Sequence, residues 1–319
     1  MDDDPFKMLS KVSSAKTDAV KLNLLQSSLN FLDLVKKNVA GLFSTEYHKF
    51  LLKAVLCISC FASKSTDSAI SKNLKQACQS TLVGFFEHFD TYVWSEEEIE
   101  LIFELFVWNR LRTFHTDASQ NVTGLMKLFI EWSKNPKYFQ FLARAKKEEP
   151  EMSVIKAVIL LIGNKNTSNQ VNEAVMDILE RLLTLKEDEA MDNDMNFGTE
   201  LLKPFVHEIL IKLKEYLSSK RLKTLNSRNL LILARITELV ADKQSSKVLL
   251  DILFPLTLKK SVDANADSES VLQLLTTISN LLNSVDEPKM YLRQMAPLFE
   301  HIHEVNLRKF LVKIFQQVC

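Results

Sequence analysis

Cys57 and Cys60, in Cys57-Ile-Ser-Cys60, form the one pair of thiols at a spacing that redox or metal chemistry uses. A redox pair needs a helix N-terminus to lower a thiol pKa. This pair sits inside the apolar run Phe50 to Phe61. A structural zinc site needs a second such pair, or a pair of histidines, nearby. Neither follows, so both thiols are expected to be buried core cysteines. Cys78 and Cys319 complete a set of four whose scatter does not resemble a disulfide framework. Of the six histidines, His301 and His303 are closest, and two residues apart on a helix they face different ways. No phosphate-loop, nucleophile-elbow, zinc-protease or dinucleotide motif occurs. No pair of carboxylates is spaced for acid and base work. The residues give no catalytic site, no cofactor site and no small-molecule substrate.

Two basic groups remain. Lys134, Lys137, Arg144, Lys146 and Lys147 interleave with Trp132, Tyr138, Phe139 and Phe141. Lys220, Arg221 and Lys223 lead a second group, flanked by Lys212, Lys214 and Arg228. Cations could touch RNA phosphates while aromatics stack on bases. The plainer reading is that the aromatics pack inward and the cations form a solvated face. Lys+Arg and Asp+Glu are both 40, so any polyanion contact has to be local.

The elements that must position these groups are helices. The chain has 319 residues with only 5 Gly and 7 Pro, too few for the turns of a sheet protein or the loops of an α/β enzyme. Val171, Ala174, Val175, Ile178, Leu179, Leu182 and Leu183 trace one apolar helical stripe. Val271, Leu274, Leu275, Ile278 and Leu282 trace another. No comparable segment alternates with period two, so no strands are expected. Ser95-Glu-Glu-Glu98 reads as an N-cap followed by a first turn of acids. Asn135-Pro136, Glu149-Pro150 and Asn164–Ser168 read as breaks. The longest and most acidic break is expected at 186–199, as a flexible loop. The N-terminus, 1–18, is expected to be flexible and lacks the pattern of a signal peptide. The most apolar stretch, Leu51 to Ala62, is too short to span a bilayer.

The elements repeat. Pro255 and Pro297 lie 42 residues apart, and so do the stripes centred on Ile236 and Ile278. A period of roughly 40–47 residues with two helices per unit is that of HEAT and armadillo repeats. One amphipathic pair cannot bury its own face, so pairs stack and share a core. The expected fold is all-α: a HEAT/armadillo-type α-solenoid of about six to seven helix pairs, running as a single domain over 19–319. The last apolar helix, Leu307 to Val318, reaches the end of the sequence without a polar cap, and a longer solenoid is expected.

The stretch Gly124-Leu-Met-Lys-Leu-Phe-Ile-Glu-Trp-Ser-Lys-Asn-Pro-Lys-Tyr-Phe139 resembles a signature segment of a family of very large HEAT-repeat proteins. These are the down-regulated-in-metastasis family, component twenty of the small-subunit processome. Phe85–Phe89, Val175–Leu179, Asp242–Leu250 and Leu307–Leu311 are similar to the same family in the same order. The resemblance covers a central portion of proteins several times longer. It implies a non-catalytic scaffold in the nucleolus of the nucleus, supporting processing of pre-rRNA to 18S rRNA. Implied partners are processome proteins and pre-rRNA or small nucleolar RNA, with no membrane and no cofactor. A HEAT-repeat adaptor for protein partners, unrelated to ribosome assembly, is the alternative that fold alone leaves open.

Overall fold

The computed structural model describes residues 23–31, 34, 45–63, 68–89, 92–164, 166–185, 197–218, 227–240, 242–262 and 268–319. The N-terminal segment 1–18, most of the acidic stretch (186–196) and Lys220, Arg221 and Lys223 lie outside them. Thr199, at the end of that stretch, is already in a helix. The described residues are almost entirely helical, and the fold is an all-α helical repeat. The chain divides into two compact units, one of Met1–Val158 with Asn166–Arg181, the other of Ile159–Lys165 with Leu182–Cys319.

In the first unit a helical stretch at 23–31 is followed by α1 (Thr45–Ser63) and α2 (Ser68–His88). Next come α3 (Glu96–Ile102), a π-helical segment (Phe103–Val107), α4 (Trp108–Leu111), α5 (Phe114–Asp117) and α6 (Gly124–Lys134). A 3₁₀ turn (Pro136–Tyr138) leads into α7 (Phe139–Leu142). Helix α2 packs on both α1 and α6. The expected cap at Ser95 is present as a full capping box. The Glu98 amide donates to Ser95 Oγ at 3.3 Å, and the Ser95 amide donates to Glu98 Oε2 at 3.0 Å. Tyr92 adds a hydroxyl donated to Glu98 Oε1 at 2.7 Å, which explains why this first-turn acid is buried.

A β-hairpin corrects the expectation of no strands. Residues β1 (Ala145–Lys146) and β2 (Glu149–Ser153) pair antiparallel, with a register irregularity after Ala145. The cause is Pro150, which pushes Glu149 out of the helical region and supplies no amide. Strands this short carry no period-two signature. The helices α8 (Val154–Ile159) and α9 (Asn169–Thr184) follow in sequence.

The second unit repeats more regularly. It contains α10 (Phe197–Leu202), a 3₁₀ turn at Pro204, α11 (Val206–Ser218), α12 (Ser227–Leu239), α13 (Lys243–Val262), α14 (Ser268–Leu282), α15 (Leu292–His301) and α16 (Val305–Val318). Helix α13 packs on α11, α14 and α15, and α16 packs on α14 and α15. Helices α11, α13 and α15 and helices α14 and α16 thus meet their next-but-one partners, with α13–α14 and α15–α16 packed as neighbours, as in stacked helix pairs. Pro255 and Pro297 lie inside α13 and α15, and the same 42-residue shift carries α12 onto α14, so the spacing is a structural repeat. Ile209, Leu213, Leu250, Leu253, Leu275 and Ile278 are buried between the layers. Among the described residues, no helix is long and apolar enough to cross a membrane.

Candidate nucleic-acid interface

The segment Gly124–Phe139 shows how the first basic group is positioned. Thr123 caps α6, its hydroxyl accepting from the Met126 amide at 3.2 Å. Leu125, Met126, Leu128, Phe129 and Trp132 fall on one buried stripe, which leaves Lys127 and Lys134 on the exposed side. Asn135 ends the helix in an extended conformation and its side chain accepts from the Lys137 amide at 3.0 Å. The turn at Pro136 then sends Tyr138, Phe139 and Phe141 inward, where all three are buried. Trp132 is fully buried, stacked on Phe103 at 5.4 Å and on Phe141 at 5.1 Å. These aromatics build the core of the unit, and none is placed to stack on a base.

The cations around them are mostly engaged within the chain. Lys134 pairs with Glu131 at 2.6 Å. The hairpin brings Arg144 to Glu96 at 2.6 Å and to Glu100 at 3.4 Å, with its guanidinium 5.6 Å over the Phe103 ring. Lys146 and Arg112 converge on Glu149 at 3.1 and 2.6 Å. These donors hold the Glu96 and Glu149 carboxyls below the usual range, through hydrogen bonds first and charge second. Glu96 is exposed and Glu149 only half-buried, so the pairs position the hairpin more than they stabilise it. Lys137 and Lys147 are exposed and form no ion pair among the described residues. Of the second group, Lys212 meets Glu215 at 3.6 Å and Lys214 meets Asp251 at 2.6 Å.

A different set of cations lines an open groove of about 950 Å³ in the first unit. One wall is the outer stripe of α2, with Lys72, Lys75, Gln76, Gln79, Ser80 and Val83 at i, i+3, i+4, i+7, i+8 and i+11. The other walls are Arg110, Phe114 and Asp117, and the start of α6 at Thr123, Gly124 and Lys127. Sequence reading missed this group. The pair Lys72–Lys75 has a local helical signal, but Arg110 and Lys127 join it only through packing of α2 on α6.

The cysteines are quieter than their spacing suggested. Cys57 and Cys60 are half-buried on α1, not fully buried, because Leu51, Leu52, Val55 and Leu56 take the core side of that helix. Burial raises the Cys57 thiol and pushes the Cys78 thiol up to about 12, so both stay protonated near neutral pH. Among the described residues, no three His, Cys, Asp or Glu side chains are grouped to hold a metal ion.

Residues 2–319 match the family model described as U3 small nucleolar RNA-associated protein 20, N-terminal. A curated relative from Saccharomyces cerevisiae (strain ATCC 204508 / S288c), U3 small nucleolar RNA-associated protein 20, is 24% identical over 254 residues. That alignment covers 77% of this chain and 10% of the relative, so the chain spans about a tenth of the yeast protein's length. With a family match over nearly every residue, this chain belongs to the N-terminal family of U3 small nucleolar RNA-associated protein 20.

Proposed function

We propose that this chain is a non-catalytic helical-repeat scaffold of the nucleolar small-subunit processome, supporting pre-rRNA processing and small-subunit biogenesis. The observation that carries the reading is the family match over residues 2–319. The stacked helices fit it, because a helical repeat presents a long surface whose shape rather than its chemistry organises partners. Partners of two kinds follow: processome proteins, and pre-rRNA or small nucleolar RNA. The protonated thiols at Cys57 and Cys78 fit a passive role as well.

The test is depletion of the protein containing this chain, followed by measurement of the precursors of small-subunit ribosomal RNA. Accumulated uncleaved precursor and loss of mature small-subunit RNA are expected. Unchanged precursor levels under complete depletion would sink the reading.

A further inference from the structure

The groove between α2 and the start of α6 has a chemical one-sidedness that folding alone does not require. Four cations line it, Lys72, Lys75, Arg110 and Lys127, against one carboxylate, Asp117. None of the four forms an ion pair among the described residues. Asp117 Oδ2 already accepts from the Thr113 hydroxyl at 2.6 Å. Arg110 is half-buried, and its guanidinium donates to Gln79 Oε1. The Asp117 charge also acts on Arg110, yet a guanidinium carries five N–H donors, and most of these have no acceptor among the described residues.

Gln79 supplies the second observation. It lines the groove, is only 2% exposed, and its Nε2 has no hydrogen-bond partner among the described residues. A buried donor without a partner is unfavourable, and a bound acceptor relieves it. Next to it is the N-terminus of α6, an 11-residue helix with no acid in its first turn. The Met126 amide is taken by Thr123 Oγ1 and the Lys127 amide by the Thr123 carbonyl at 2.9 Å. The Gly124 and Leu125 amides have no partner among the described residues. Lysine ammoniums, a guanidinium, a buried amide and a helix N-terminus therefore converge with almost no competing acceptor. That arrangement is complementary to an anion with several oxygens, and phosphate at a helix N-terminus is its common form.

We propose that this groove holds the sugar–phosphate backbone of a single RNA strand. The proposal deepens the scaffold reading and rests on it for the choice of an RNA. The groove itself favours phosphate over an acidic protein segment. Protein partners anchor through apolar side chains in pockets, and here Phe114 and Leu125 are buried and only Val83 is half-accessible. Lys72 to Val83 spans about 16 Å at 1.5 Å per residue, enough to follow a short run of backbone. No exposed aromatic lines the groove, so binding is through phosphates and indifferent to sequence.

The experiment uses the 319-residue chain and a fluorescein-labelled single-stranded oligouridylate, followed by anisotropy from low to moderate salt. Four phosphate contacts give a log–log salt slope of about −2.8, or roughly fifty-fold weaker binding from 50 to 200 mM salt. Combined Lys72→Ala, Lys75→Ala and Lys127→Ala should reduce the slope to about −0.7 and weaken low-salt binding more than tenfold. Arginine at the same three positions should keep both. Circular dichroism controls for folding. Unchanged affinity and slope in the alanine variant would overturn the proposal. So would equal competition by polyglutamate, which would point to an acidic protein partner, or binding lost only when Lys134, Lys137 and Lys147 are removed. Sedimentation of the same variants within the full-length protein in cell extracts separates the two readings. Co-sedimentation with pre-ribosomal particles without groove-dependent RNA affinity removes the groove and leaves the scaffold. Groove-dependent affinity without co-sedimentation does the reverse.

Discussion

Trp132 offers a sharp test of the packing account, because two terms of opposite sign meet in one side chain. Its indole is completely buried, with ring contacts to Phe86 at 5.7 Å, Phe103 at 5.4 Å, Phe129 at 5.7 Å and Phe141 at 5.1 Å. Its Nε1 donor is buried without a partner among the described residues. Trp132→Ala removes the centre of this cluster and should cost about 3–5 kcal/mol, the usual range for a large buried aromatic. Trp132→Phe removes roughly 40 Å³, which at about 24 cal/mol per Å³ of cavity is ~1 kcal/mol. It also removes the orphaned N–H, whose burial costs about 1–3 kcal/mol. The two offset, and the phenylalanine variant should lie between the parent's stability and about 2 kcal/mol above it.

The assay is urea unfolding followed by far-ultraviolet circular dichroism, which does not depend on the lost indole. Slope and midpoint are fitted together, so that a change in the denatured state is not mistaken for a change in stability. A phenylalanine variant as damaged as the alanine variant would refute the reasoning, since it would mean that the N–H is satisfied and indole shape is essential. An alanine variant with little loss would refute the placement of Trp132 in the core.

Gly163 has φ 66°, and a Cβ there would stand 2.7 Å from the Lys212 carbonyl oxygen and 3.0 Å from the Tyr216 amide nitrogen. Gly163→Ala should therefore cost at least the 1–3 kcal/mol or so of a left-handed residue, and a melting temperature that does not fall would refute this. His48 is buried against Phe89, with ring centroids 3.9 Å apart, and neither ring nitrogen has a partner among the described residues. Burial lowers its pKa, so the unfolded chain takes the proton near pH 6.5 and the folded chain only below that. Stability is then whole above about pH 6.5 and declines as pH falls through the window beneath it. His48→Phe should flatten that decline in denaturation midpoints measured at pH 7.5 and 5.5, and an unchanged profile would count against it.

What the sequence made legible was local. A stripe such as Val171–Leu183, the cap at Ser95 and the stop at Asn135-Pro136 each need only neighbouring residues, and each stands where the spacing put it. The 42-residue spacing was legible because two prolines mark equivalent helices. What was hidden depends on packing between distant segments. Interleaved aromatics and cations at 132–147 looked like a stacking surface, yet the helical period and the turn at Pro136 send the rings inward. The π-helical segment Phe103–Val107 lets Phe103, Phe106 and Val107 all face the core, and no residue in it announces the extra backbone step. The groove was hidden for the same reason, since Lys72, Arg110 and Lys127 meet only when α2, α4 and α6 are assembled.

Gly124 joins the signature segment to that groove, and its substitution separates charge from shape. A Cβ on Gly124 would lie 2.6 Å from Gln79 Oε1 and 2.8 Å from its Cδ. Those atoms end a side chain with three torsions, so the glutamine yields and the helix need not move. Alanine is also the better helix former, by about 1 kcal/mol in a helix interior and less at this first position. Gly124→Ala should thus change stability little. The displaced Gln79 must leave Arg110 and turn into the groove, where it occupies space that phosphate would need. RNA affinity should fall at every salt concentration while the salt slope stays near its parental value, because no charge has been removed. Removing the three lysines lowers the slope; adding one methyl group at Gly124 should not. A slope that falls with Gly124→Ala, or an affinity that does not change, would mean that the groove next to α6 is not where the strand lies.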